Sequence, residues 1–172
     1  MRRWIGPVLV GLLLALGAWH VTIVQFPRVL MRTAIGRLAR PGINTMFAAP
    51  LATDKARTIV RPSPDLAYST CPFDLSKGPV LVDVPPIPAP YWSLSVFDAR
   101  TDVAYVRNNL SAGDQPIRIA IAQPGQPVPD GMQAVRVTGE RGIALVRVLV
   151  EDRTAFAPID AARRQASCKA LS

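Results

Sequence analysis

Hydrophobic positions follow three regimes along the chain. From Trp4 to Phe26 they are nearly continuous: the run WIGPVLVGLLLALGAWHVTIVQF holds no Lys, Arg, Asp or Glu. As a helix it spans roughly 34 Å at about 1.5 Å per residue, enough to cross a hydrocarbon core of about 30 Å. Trp4 at one end, and Trp19 and Phe26 towards the other, suit an interfacial aromatic belt. Pro7 falls in the first turns, where a missing N–H does little damage. From Arg28 to Arg40 the period becomes helical. Leu30, Met31, Ala34, Ile35 and Leu38 share one arc, and Arg28, Arg32, Arg37 and Arg40 the other, until Pro41-Gly42 stops the helix. That stripe is expected to pack on the body; the alternative is a face for a partner helix or lipid headgroups.

From residue 42 onward the pattern is short β-rich runs punctuated by Pro and Gly. They are Thr58–Arg61, Leu66–Thr70, Pro79–Val84, Tyr91–Phe97, Val103–Arg107, Ile117–Ala122, Ala134–Thr138 and Ile143–Val150. Several alternate, with Arg136 and Arg147 facing out between inward valines. Runs at this spacing predict a mainly β fold, an antiparallel, jelly-roll-like β-sandwich. The segment from Pro85 to Pro90 reads as a stiff connector, 123–131 as a loop, and Pro158 as the opening of a short C-terminal helix over Ile159–Leu171. The expected organisation is therefore an anchor over 1–27, a basic juxtamembrane helix over 28–41 and a sandwich over 42–172.

Charge sharpens this picture. The net charge of +8 looks like a nucleic-acid footprint, yet six of the 20 basic residues lie in the first 41 positions with no acid among them. The other 14 face all 12 acidic residues, so the body is nearly neutral and offers nothing for a phosphate backbone. The basicity belongs to the membrane segment and its flank. A cleaved signal peptide is the competing reading of the N-terminus: Arg2-Arg3, an apolar core over 5–16 and a weak small-residue site at Ala15-Leu16-Gly17. The apolar run continues past that site to Phe26, which favours an uncleaved anchor. Orientation is in conflict. Four arginines on the far flank place the body in the cytoplasm by the positive-inside rule, while the cysteines and signal-like start place it outside.

Much chemistry is excluded by composition. The single histidine, His20, lies in the apolar span, so the body can build neither a Ser-His-Asp nor a Cys-His nucleophile system. Two cysteines without histidine make no structural zinc site, and no metal or cofactor is expected. GxGxxG and GxxxxGK[ST] loops are missing. Cys71 and Cys168 are candidates for one disulfide pinning the C-terminal segment to the core, the alternative being two unrelated buried thiols.

One stretch carries more specific signals. Arg61-Pro62-Ser63-Pro64-Asp65-Leu66-Ala67-Tyr68-Ser69 is followed by Asp74-Leu75-Ser76-Lys77-Gly78-Pro79-Val80 and then by Tyr91-Trp92-Ser93-Leu94-Ser95-Val96-Phe97-Asp98. These ordered motifs resemble the bacterial family catalogued as domain of unknown function 1254. The resemblance implies a β-sandwich, and in longer members a second β domain of the companion family, domain of unknown function 1214. It brings no established activity. Among the shared positions Arg61, Asp65, Tyr68 and Asp98 are candidates for a ligand pocket, and local turn and strand-edge hydrogen bonds are their structural alternative. The expectation is a single-pass protein of a bacterial inner membrane with a periplasmic binding or assembly module that pairs with such a companion domain. The alternative is a subunit of an enzyme acting on a small polar or anionic substrate.

Overall fold

The computed structural model describes residues 2–53, 62–113 and 115–171. The expected strand over Thr58–Arg61, and Arg61 itself, lie outside them.

A single helix, α1 (Ile5–Leu38), carries both the uncharged run and the amphipathic stripe. At about 1.5 Å per residue it is roughly 50 Å long, some 20 Å more than a hydrocarbon core requires. Its apolar part is long enough to cross a membrane and is wholly exposed. The helix continues through Pro27, and its last turns behave differently: Met31 and Ile35 are buried against Ile143 and Phe97 of the body, with Ala34 and Leu38 half-buried beside them. The amphipathic stripe therefore packs on the body, with Leu30 the exception, left exposed.

The body is a sandwich of two sheets. In chain order its strands are β1 (Phe47–Ala48), β2 (Leu66–Asp74), β3 (Val80–Val84), β4 (Trp92–Phe97), β5 (Val103–Asn108), β6 (Ile117–Ala122), β7 (Gln133–Arg136), β8 (Arg141–Leu149) and β9 (Ser167–Ala170). One sheet has the order β1-β2-β8-β4-β5 and the other β7-β6-β3-β9. Every pair is antiparallel except β6–β7. Inward positions recur with period two. Phe73, Trp92, Leu94, Val96, Val146 and Val148 come from the first sheet, and Val80, Val82, Ile117, Ile119 and Ile121 from the second. Gly142 lets β8 pass close to β4 and Phe73: a Cβ there would overlap the Phe97 carbonyl and the Phe73 ring.

Several elements differ from the sequence-based expectation, the two-residue strand β1 among them. The terminal helix is shorter and starts earlier, as α3 (Phe156–Arg163), and the chain then turns into β9. The backbone of β9 finds partners along the edge of β3, pairing Cys168 with Val82, and this tertiary pairing overrides the helical propensity of the segment. A second short helix, α2 (Asn109–Ala112), follows β5 and is capped by the Asn108 side chain.

Cys71 of β2 and Cys168 of β9 are joined in a disulfide with Cα atoms 6.3 Å apart. The bond links the two sheets across the core and closes a loop of 97 residues. Replacing both cysteines by serine is expected to cost about 4 kcal/mol on the chain-entropy view. Urea unfolding of the full chain in detergent, with and without reductant, measures this; reductant should lower the wild-type midpoint and leave the double variant unchanged.

Candidate functional site

Strand register lays out the outer face of the five-stranded sheet in rows. Tyr68, Arg147 and Ser93 form one row across β2, β8 and β4; Thr70, Leu145 and Ser95 form the next; Pro72, Ile143 and Phe97 form the third. The third row is the floor on which Met31 and Ile35 of α1 rest. Over the second row the helix stands clear, leaving a cavity of about 1060 Å³ between α1, the sheet and the segment that follows β1. Met31, Ala34 and Leu38 line one wall, Thr70 and Leu145 the other, and residues 49–53 close a third side. Arg37 and Arg40 also line it, and no acidic residue does among the described residues.

The first row is polar. Arg147 is half-buried and donates to Ser95 Oγ at 3.4 Å. Arg147 Nε and Ser93 Oγ are both buried without a hydrogen-bond partner among the described residues.

Among the described sequence candidates, Asp65 and Asp98 do not converge. Asp98 Oδ1 accepts the backbone N–H groups of Arg100 (2.7 Å) and Asp102 (3.1 Å), so this buried carboxylate shapes the β4–β5 turn. The Tyr68 hydroxyl accepts from the Ser63 N–H at 3.1 Å and its side chain lines the cavity. Asp65 is exposed, and its carbonyl accepts from the Val150 N–H at 2.9 Å. Asp65 thus lies beside the C-terminal end of β8, whereas Asp98 follows the residue paired with Ile143 near its start. At about 3.3 Å per strand residue this separates them by roughly 25 Å. Asp74, a further shared position, pairs with Arg141 at 2.7 Å.

An arginine outside the sequence candidates does more than any of them. Arg163, at the end of α3, is fully buried. It ion-pairs with Asp160, donates to the carbonyls of Tyr68 (2.8 Å) and Ala49 (2.6 Å), and lies 5.3 Å from the centroid of the Phe156 ring. Arg153 adds bonds to the carbonyls of Ala52 (3.3 Å) and Pro64 (2.9 Å). Together these side chains hold the segment that closes the cavity. The one hint in the sequence was an Asp160-x-x-Arg163-Arg164 cluster on a short helix.

A protein-family model, "Protein of unknown function (DUF1254)", matches residues 43–170. The chain belongs to this family. Among solved structures, the DUF1254 chain is similar to the VPA0106 protein from Vibrio parahaemolyticus, with a TM-score of 0.70 and 15% sequence identity. That alignment covers 88% of this chain and 37% of VPA0106, so the chain spans little more than a third of the longer protein, and the likeness is one of fold. An uncharacterized protein from Burkholderia cenocepacia aligns with a TM-score of 0.49 and 16% identity, over 77% of this chain and 35% of that one. No curated protein matches.

Three carboxylates of this DUF1254 body are held below the ordinary range among the described residues: the exposed Asp152, by hydrogen bonds from Thr154, and the partly buried Asp160 and Asp74. Burial opposes the charge on Asp160, but hydrogen bonds and charge from Arg164 and Arg163 outweigh it. For Asp74 burial is likewise outweighed, by Ser76 and Arg141. A depressed folded pKa contributes stability that is fully present above the unfolded value of about 3.9 and is lost as pH falls through the folded one. Thermal melts of the wild type should therefore fall steeply below about pH 4, and Asp160→Asn should lower stability at pH 7 while flattening that acid-side decline. Arg163→Met, which strands two carbonyls and a carboxylate, should cost about 3 kcal/mol.

Proposed function

We propose that this protein is a membrane-tethered assembly module of the bacterial envelope: α1 spans the inner membrane, the sandwich stands in the periplasm, and the open edge of β5 seats a companion β domain of the domain of unknown function 1214 family. The observation that carries the reading is that edge. Strand β5 has a ladder partner on one side only, β4. At six residues it is the longest of the four edge strands, against two in β1 and four in β7 and β9. Val103 (57% exposed), Val106 (55%) and Leu110 of α2 (78%) lie open along it. Soluble proteins usually blunt such an edge with charge or proline, and β5 has only Arg107, whose guanidinium turns to the Ser111 carbonyl. An exposed apolar edge is a template for β-augmentation.

Two further observations support the reading. The fold occupies 37% of VPA0106, so in that protein it is joined to a much larger remainder. The disulfide supports the periplasmic side, because cytosolic thiol systems keep cysteines reduced whereas the positive-inside rule is a statistical bias. A catalytic role on a small polar substrate has no comparable support: Tyr68 and Asp98 accept local backbone hydrogen bonds, and Asp65 and Asp98 occupy opposite ends of the sheet.

The test is cross-linking in native membranes, extraction in mild detergent and quantitative mass spectrometry. The wild type should retain one stoichiometric β-domain partner, and Val103→Lys with Val106→Lys should lose it with the thermal midpoint unchanged. A wild-type chain without any such partner, or a partner retained by the double variant, overturns the reading. A C-terminal alkaline phosphatase fusion should be active, and a C-terminal green fluorescent protein fusion exported through the general secretory route should be dark.

A further inference from the structure

We infer that the cavity beneath α1 binds an uncharged lipophile of small-molecule size, whose acceptor oxygen, such as a carbonyl, is set against Thr70 and Tyr68. The inference needs neither the spanning role of α1 nor the pairing proposed for β5.

Three observations converge. First, the floor holds a hydroxyl without a protein partner. Thr70 is only 7% exposed and lines the cavity, yet its hydroxyl bonds to no described residue. In the same row Ser95 Oγ accepts from Arg147, so the fold serves one hydroxyl and leaves the other. A hydroxyl taken out of water and left unbonded is costly, and it points to a group that arrives from outside. Second, Tyr68 stands on the same face of β2, two residues and about 7 Å along the strand. The Tyr68 hydroxyl accepts the Ser63 N–H, and its own proton goes to no described acceptor. Two neighbouring donors on one floor suit an oxygen that accepts. Third, hydrocarbon makes up most of the remainder. Ala34 and Leu38 of α1, Leu51 of the closing segment and Leu145 of β8 line the cavity and are half-buried. The volume of about 1060 Å³ reaches the upper end of the range of small-molecule sites. The lining arginines do not call for an anion: Arg37 already has a partner, and Arg40 lies exposed. Arg163 and Arg153 hold the closing segment from behind, so the space stands ready before a ligand enters.

The test uses benzophenone, an uncharged ketone whose excited carbonyl takes a hydrogen from a touching C–H bond and joins to that carbon. The full chain in detergent micelles is irradiated with benzophenone, and separately with benzoylbenzoate, the same ketone carrying a carboxylate. Peptide mass spectrometry then locates the label. Label on the exposed apolar part of α1 reports probe dissolved in the micelle and serves as the reference. Relative to it, label on the peptides carrying Thr70 and Leu145 should be about fivefold stronger with benzophenone than with benzoylbenzoate. Thr70→Val should cut the benzophenone label on those peptides about fivefold, the worth of one hydrogen bond. Its thermal midpoint should stay level or rise, because no bond within the protein is lost. Ala34→Phe, which fills the cavity, should abolish that label with the disulfide still formed. Label confined to α1 overturns the site, as does body label that both variants leave unchanged. Benzoylbenzoate labelling the body as strongly as benzophenone overturns the uncharged class. A lowered midpoint in Thr70→Val makes the hydroxyl part of the fold and overturns its role toward a ligand.

Discussion

A guanidinium group buried completely inside a small β-sandwich must be neutralised and hydrogen-bonded on every side, and Arg163 shows how the fold is arranged to do so. Burial lowers its pKa, a pull that Asp160 only partly offsets, and a guanidinium remains cationic even so. Its donors reach two carbonyls that belong to different stretches of chain, Ala49 after β1 and Tyr68 in β2, while Phe156 lies against its face. Neither stretch could move without exposing a charge to an apolar interior, an outcome far costlier than losing a surface ion pair. One side chain thus ties α3 to β2 and to the residue after β1, and Arg153 adds its bonds to the segment that closes the cavity. The disulfide performs the complementary task at the other sheet, binding β9 to β2 where α3 has ended.

Much of this architecture was legible because period-two alternation leaves a clear trace. In Ile117-Arg118-Ile119-Ala120-Ile121 the three isoleucines face the core while Arg118 pairs with Asp83 of the neighbouring strand, and the observed β6 has the expected bounds. The uncharged run and the arc of Met31 and Ile35 were equally readable, since one helix carries both periods. What escaped was whatever depends on partners distant in sequence. Strand β9 has four residues, of which only Cys168 is buried, and no local pattern separates it from the end of a helix. Strand β1 has two residues, too few for any periodicity.

The candidate site shows the same division. Asp98 and Tyr68 stood out as members of an ordered motif, but a motif marks positions that matter without saying for what: both take up local backbone N–H groups. The cavity had a fainter trace. Ile143 and Leu145 lie on the outward parity of β8, and Phe97 on that of β4, so both strands carry apolar residues on the face that should have been wet. That excess of hydrophobicity is explained by the helix lying over it. Arg163 left only the faint trace of its spacing from Asp160, because a buried cation is defined by groups that only the fold brings together.

Helix α1 passes from its exposed apolar part into the body without a flexible joint, and Met31 and Ile35 clamp its final turns against β4 and β8. In its proposed role as a membrane tether, α1 would be a mast rather than a leash. In a bilayer such a protein has its height and tilt set by the helix, and only its azimuth is free to vary. Under the proposed pairing, a partner fixed in the same plane would meet β5 by rotation and lateral drift alone, which shrinks the search that a weak contact must win.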